Sequence, residues 1–124
     1  MAGQRINLTR SIYTITDGAN AWQASNQALD ILGYSGARLD FSLKVYGLNG
    51  PSGVTPSATV KIYTSMYNDD DNDNWKLAAT FPAVTTSNKV VAVSATTGLL
   101  QYIKWGVEVT NVNTTSFEIL GVAW

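Results

Sequence analysis

Four carboxylates crowd one short run, Asn68-Asp69-Asp70-Asp71-Asn72-Asp73-Asn74, the densest cluster of reactive side chains in the 124-residue sequence. Asp69, Asp71 and Asp73 stand at alternate positions, the opening spacing of a calcium-binding loop built from oxygen ligands. An EF-hand loop also needs glycine at its sixth place and a bidentate glutamate at its twelfth. Counted from Asp69, those places hold Asn74 and Thr80. The run therefore reads first as a solvated hairpin tip whose Asp and Asn side chains bond their own backbone. A Ca2+ site at Asp69, Asp71 and Asp73 is the lesser alternative, and no other cofactor or metal is expected.

Catalytic chemistry has little to work with elsewhere. Histidine and cysteine are both absent, which removes the commonest general base, the thiolate nucleophile, both triad arrangements and the usual transition-metal ligands. A glycosidase needs two carboxylates across a cleft. Outside the acidic run only Asp17, Asp30, Asp40, Glu108 and Glu118 are available, and they form no E-x-D-x-x-E cluster. No glycine-rich phosphate loop follows a strand and opens a helix. The expectation is a protein with no catalytic residues, not an enzyme.

Binding chemistry is better supplied. Tyr46, Tyr63, Tyr67 and Tyr102 fall out of phase with the apolar positions around them and interleave with Lys44, Lys61 and Lys104. Aromatic platforms beside lysines stack sugars or bases, and tyrosine is enriched in protein interfaces; it is also simply a good strand former. Of four tryptophans, Trp105 is in phase with an apolar row and Trp75 with Leu77, Ala79 and Phe81, so both are expected inside. Trp22, in a polar stretch, and Trp124, at the C-terminus, are the interface candidates, together with the four tyrosines. Whether these six share one face depends on strand order.

The elements that must position them show a period of two, the mark of half-buried strands. Leu39, Phe41, Leu43 and Val45 alternate with polar residues and Tyr46; Val60, Ile62 and Met66 form a second apolar row; Ile103, Trp105, Val107 and Val109 form a third. Shorter strands are expected within Ile6 to Leu8, Ile12 to Thr16, Ala28 to Leu32, Trp75 to Phe81, Lys89 to Ala95 and Phe117 to Trp124. Turn chemistry separates them at Asp17-Gly18, Tyr34-Ser35-Gly36, Asn49 to Gly53, Asn68 to Asn74, Thr85 to Asn88, Thr96 to Gly98 and Asn111 to Thr115. Residues 19–32 are either a helix or an irregular loop. The pattern predicts one all-β domain over residues 1–124, an antiparallel β-sandwich of jelly-roll type with about 8 strands and little or no helix.

The formal net charge is -1, from 8 basic and 9 acidic residues, so no global field favours nucleic acid or a membrane. No apolar run reaches the roughly 20 residues of a membrane span, and the N-terminal residues lack the apolar core of a secretory signal. The chain is expected to be made in a host cytoplasm.

From Leu39 to Trp124 the sequence resembles small β-sandwich proteins encoded among the virion structural genes of tailed bacteriophages. The resembling segments are LDFSLKVYGLNG, the ATVKIYTSMYNDDDNDNW block with its polar insert before a tryptophan, and GLLQYIKWGVEV followed by a closing strand. The resemblance implies a capsid decoration, minor capsid or tail-associated protein located in the virion. Its partners would be the major capsid protein or other virion subunits, and it would form a closed homo-oligomer such as a trimer. The opposing reading from the Tyr and Trp content is a carbohydrate-binding module for host-surface glycan.

Overall fold

A computed structural model describes residues 4–24, 28–32, 38–95 and 98–124. The predicted turn at Tyr34-Ser35-Gly36 and most of that at Thr96 to Gly98 lie outside the described residues. The strands are β1 (Gln4–Asn7), β2 (Tyr13–Ile15), β3 (Ala21–Trp22), β4 (Leu29–Asp30), β5 (Leu39–Asn49), β6 (Ser57–Ser65), β7 (Lys76–Thr80), β8 (Lys89–Ala95), β9 (Tyr102–Thr110) and β10 (Thr114–Ala123). The one named helical element among the described residues is a 3-10 turn at Asn72–Asn74.

Two antiparallel sheets face each other. Sheet A runs β1-β10-β5-β8, with β2 also on β10; sheet B runs β3-β9-β6-β7, with β4 also on β9. β1 pairs residues 120–123 of β10 and β2 pairs residues 115–117, so these two pieces share one edge row. β3 and β4 share an edge row along β9 in the same way. Ten segments thus fill eight strand positions, and every connection except the β1–β2, β3–β4 and β6–β7 links crosses between sheets. This is jelly-roll order. Within residues 19–32, where the alternatives were a helix or an irregular loop, β4 falls in the strand expected over Ala28 to Leu32, and β3 is a strand the sequence did not suggest. A two-residue strand has too few side chains to show a period.

The inner rows fill the space between the sheets: Leu39, Phe41, Leu43 and Val45 from β5, Val60 and Ile62 from β6, Ile103, Trp105 and Val107 from β9, and Phe117, Ile119 and Ala123 from β10. At the centre, the Trp105 ring meets Phe117 edge-on (5.2 Å, 89°) and Tyr13 at 4.6 Å, joining sheet B to sheet A. The Asp17-Gly18 turn forms as its chemistry predicts. Gly18 takes a left-handed φ of 67° and the Ala19 amide donates to Asp17 Oδ1 at 3.1 Å.

Three expectations about phase need correction. Met66 lies beyond the end of β6 and is 53% exposed; Thr64 takes the inward place, its hydroxyl donating to Tyr102 O and accepting from the Leu100 amide. β6 and β7 slip register between Ile62/Tyr63, leaving Ala78 as an extra residue. That bulge turns Leu77 and Trp75 to the face opposite Ala79 and Phe81. Leu77 is consequently exposed, and Trp75 is buried outside the sandwich, against sheet B. A second slip at Ser116/Phe117 leaves Tyr46 as the extra residue on β5, which is why Leu48 returns to the core although it shares Tyr46's parity.

Candidate functional site

The six interface candidates divide between opposite faces of the sandwich. Trp22, Tyr63 and Tyr102 project from β3, β6 and β9 on the outer side of sheet B, with Tyr67 just past the end of β6; Tyr46 and Trp124 belong to sheet A. They form no single face.

On sheet B the focus is Gly106. Trp22 pairs with Gly106 across β3 and β9, and the missing side chain lets two rings lie over the strand. A Cβ there would meet Tyr63 Cε2 at 3.0 Å and Trp22 Cδ2 at 3.4 Å. The Trp22 and Tyr63 rings stack at 4.2 Å with a 31° tilt, and Trp22 remains 39% exposed. Burial pushes the Tyr63 hydroxyl above its ordinary pKa, with Lys61 opposing and Glu108 adding to the shift. Lys61 and Glu108, beside the stack, form an ion pair at 2.8 Å. Hydrogen bonding to Glu108 raises the lysine's pKa.

Lys104, predicted to point outward into solvent, is 2% exposed. It does point away from the core, but Trp75 and the acidic run close over it. Its ammonium lies 4.3 Å from the Trp75 ring and 4.9 Å from the Trp22 ring, a cation held between aromatic faces. Trp75 Nε1 donates to Asp69 O at 2.9 Å, tying the run to the sheet. Burial lowers the lysine's pKa, while Asp70 and Asp69 pull it back up.

Within the run, the Asp71 amide donates to Asp69 Oδ1, the Asp73 amide to Asp71 Oδ1, and Asn74 Nδ2 to Asp69 Oδ2. These are the self-bonding turns that the Asp and Asn spacing predicts. Among the described residues no three carboxylates converge as a cation site, those of Asp69, Asp71 and Asp73 included.

A methionine at position 104 keeps the stem and removes the charge. Because the net effect of the surroundings is to disfavour that charge, Lys104→Met should leave the melting temperature unchanged or slightly raised. The sign with pH follows from linkage. The folded pKa lies below the ordinary 10.5, so the unfolded chain holds more protons in the window between them. This group's contribution therefore grows as pH rises through that window. In urea unfolding at neutral and alkaline pH, the stability of the parent relative to Lys104→Met should rise through that window, whatever the oppositely signed tyrosine and Lys61 titrations do to both.

On sheet A, Asp40 is the hub. Its carboxylate accepts from Ser94 Oγ at 2.6 Å and Trp124 Nε1 at 2.8 Å, and meets Arg38 Nε at 3.0 Å. Arg38 also lies 5.2 Å from the Trp124 ring centre. The Ser94 and Trp124 hydrogen bonds, then Arg38, hold the Asp40 carboxyl below its ordinary pKa. That contribution exists above the unfolded value of 3.8 and fades as pH falls through the lower folded value. Acid should free Trp124 only once pH falls below the ordinary carboxylate range, read as a tryptophan fluorescence change, and Asp40→Asn should remove this step. Further along the sheet, Tyr46 donates to Glu118 Oε1 at 3.1 Å, which raises the tyrosine's pKa, and Lys44 sits 4.7 Å from the Tyr46 ring centre. Between these groups a shallow groove of about 460 Å³ runs over Ser42, Ala92, Leu120 and Val122, with Arg5 and Asp40 on its rim. No described helix is long and apolar enough to cross a membrane.

Sequence reasoning did not single out Gly106, Asp40 or Gln23, the residue after Trp22. Gly106 offered one signal, a glycine breaking the outward row of a strong strand, which marks close approach by another group. Asp40 and Gln23 offered none: apart from Arg38 beside Asp40, their partners lie 15 to 84 residues away in the chain.

No protein-family model matches the sequence, and no curated protein matches it. Solved structures do match in shape. The PBSX exported protein XepA superposes over 97% of this chain with a TM-score of 0.63 at 13% identity. The CBM22-1–GH10 modules of the N-terminal endo-1,4-beta-D-xylanase 10B of Clostridium thermocellum, complexed with xylohexaose, superpose over 96% with a TM-score of 0.50 at 11% identity. The SPBc2 prophage-derived protein YomS covers 99% with a TM-score of 0.45 at 11% identity. This chain spans 36% of the length of XepA and 25% of the xylanase structure; what it has in common with them is the fold.

Proposed function

We propose that this chain is a non-enzymatic subunit of a phage-type particle, of capsid decoration or minor capsid type, that stabilises the particle through protein–protein contacts. The observation that carries this reading is the division of accessible aromatic and charged side chains between two opposite faces. A subunit wedged among neighbours needs contacts on more than one side, whereas a lone binding module needs one. Trp22 and Tyr63 serve the sheet B side; Trp124, Tyr46 and the apolar groove serve the sheet A side. Multiple copies make weak individual contacts sufficient. The sequence patterns that resemble virion β-sandwich proteins support the same reading, and the major capsid protein or another virion subunit is the partner class.

A second reading, glycan binding, is favoured by the Trp22–Tyr63 stack itself. A pyranose offers a C–H face to an aromatic ring, and Lys61 and Glu108 supply a donor and an acceptor beside it. One pair of experiments separates the two. Mass spectrometry and electron microscopy of purified particles should find the protein in them, and a glycan array probed with the isolated chain should show no retention. Retention on glycan that is lost in Trp22→Ala and in Gly106→Val, with no protein in particles, would replace the first reading with the second. A Cβ at Gly106 meets the Tyr63 and Trp22 rings and no backbone, so Gly106→Val should push the rings apart and leave the strand pairing intact.

A further inference from the structure

Two sheets have four edges, and three of these carry devices that discourage strand addition. One edge of sheet A is split into β1 and β2, and one edge of sheet B into β3 and β4. The other edge of sheet B, β7, is five residues long and bulged at Ala78. Short, broken and bulged edges are how β proteins avoid pairing with other chains. β8 has none of these. Its seven residues pair with β5 without a register shift, and among the described residues no strand pairs its outer side. It contains neither proline nor glycine, carries one charge, Lys89, at its first position, and leaves Val90 56% exposed. A continuous apolar edge of this length is a template for another strand.

We propose that β8 pairs antiparallel with β8 of a second copy of this chain, across a two-fold axis at Ala92, joining two A sheets into one. Self-complementarity selects that occupant. Full overlap sets Ala92 against Ala92, Val91 against Val93, Val90 against Ser94 and Lys89 against Ala95. No like charges face each other, and the two lysines lie at opposite ends of the pair. The edge has no internal charge that would select an acidic or basic strand from another protein. Ala92 also lines the sheet A groove, so the two grooves become neighbours on one continuous face. Such an isologous contact closes at two copies. It goes beyond the particle reading and stands whether or not the chain is found in particles.

Size-exclusion chromatography with light scattering tests it, over the widest concentration range that solubility allows. The parent chain should show a concentration-dependent dimer. Ala92→Lys sets two lysine side chains directly opposite each other on Cβ atoms about 5 Å apart, a like-charge pair that should weaken the dimer about tenfold or more; Ala92→Glu should do the same. Mixing the two variants should restore a heterodimer, seen by native mass spectrometry. Because the Ala92 side chain is exposed, circular dichroism of each variant should match the parent. A parent chain that stays monomeric throughout, a trimer, or a dimer indifferent to Ala92→Lys overturns the proposal.

Discussion

Trp105→Ala should cost about 3–5 kcal/mol, the range for deleting a large buried aromatic side chain. The magnitude follows from position. Trp105 is 2% exposed and stands on β9 at the middle of sheet B. Its ring spans the sandwich to Phe117 on β10 and Tyr13 on β2, so one side chain couples the two sheets at their centre. Removing it leaves a cavity that neither sheet can close without breaking its strand ladder. It also leaves Tyr13, already 37% exposed, with Phe117 as its remaining aromatic contact. A domain of this size has about 5–15 kcal/mol of total stability, so the variant should unfold at a much lower urea concentration, with the near-ultraviolet dichroism of packed aromatics reduced. By comparison Trp22→Ala, at an exposed ring, should shift the midpoint little. A Trp105 variant as stable as the parent would mean that the sheets are held together elsewhere.

The long strands were legible because each has one face buried, and a buried face writes its period into the residues. β5, β6 and β9 show it, whereas β10, apolar on both faces at Ile119-Leu120 and Val122-Ala123, was legible only as a shorter strand over Phe117 to Trp124; the jelly-roll class follows from strand number and spacing. The failures have a common cause. A bulge is a single extra residue that leaves the composition of a strand unchanged while reversing the face of everything beyond it. Ala78 therefore hid the true direction of Trp75, and with it the cover over Lys104. Lys104 itself was read correctly as pointing away from the core; what no period can reveal is that a loop residue folds back over it. The interface candidates were found by residue type, but their division between two faces needed strand order. The β3 and β4 pieces are too short to carry any pattern.

Gln23→Leu should be nearly as damaging as a core truncation, although it replaces a polar residue with an apolar one of similar size. Gln23 is 4% exposed and sits at the break between β3 and β4. Its side-chain nitrogen donates to Leu8 O at 2.9 Å, and its side-chain oxygen accepts from the Trp105 amide at 3.2 Å. Leu8 occupies the matching break between β1 and β2, so one amide group ties together the interrupted edge rows of both sheets. A leucine makes neither bond and strands two buried backbone groups at about 1–3 kcal/mol each. The expected loss is therefore about 2–6 kcal/mol, read from chemical unfolding. Gln23→Glu sharpens the test. The carboxylate repels Leu8 O, but once protonated it has the shape of the amide and donates to it. Burial raises the folded pKa of that glutamate above its unfolded value of about 4.3, so the stability this variant lacks at neutral pH should return as pH falls through the raised value. Gln23→Leu should show no such recovery. The neighbouring indole reports the same event: with its anchor lost, Trp22 should leave Tyr63, and its fluorescence should follow the pH recovery in Gln23→Glu alone.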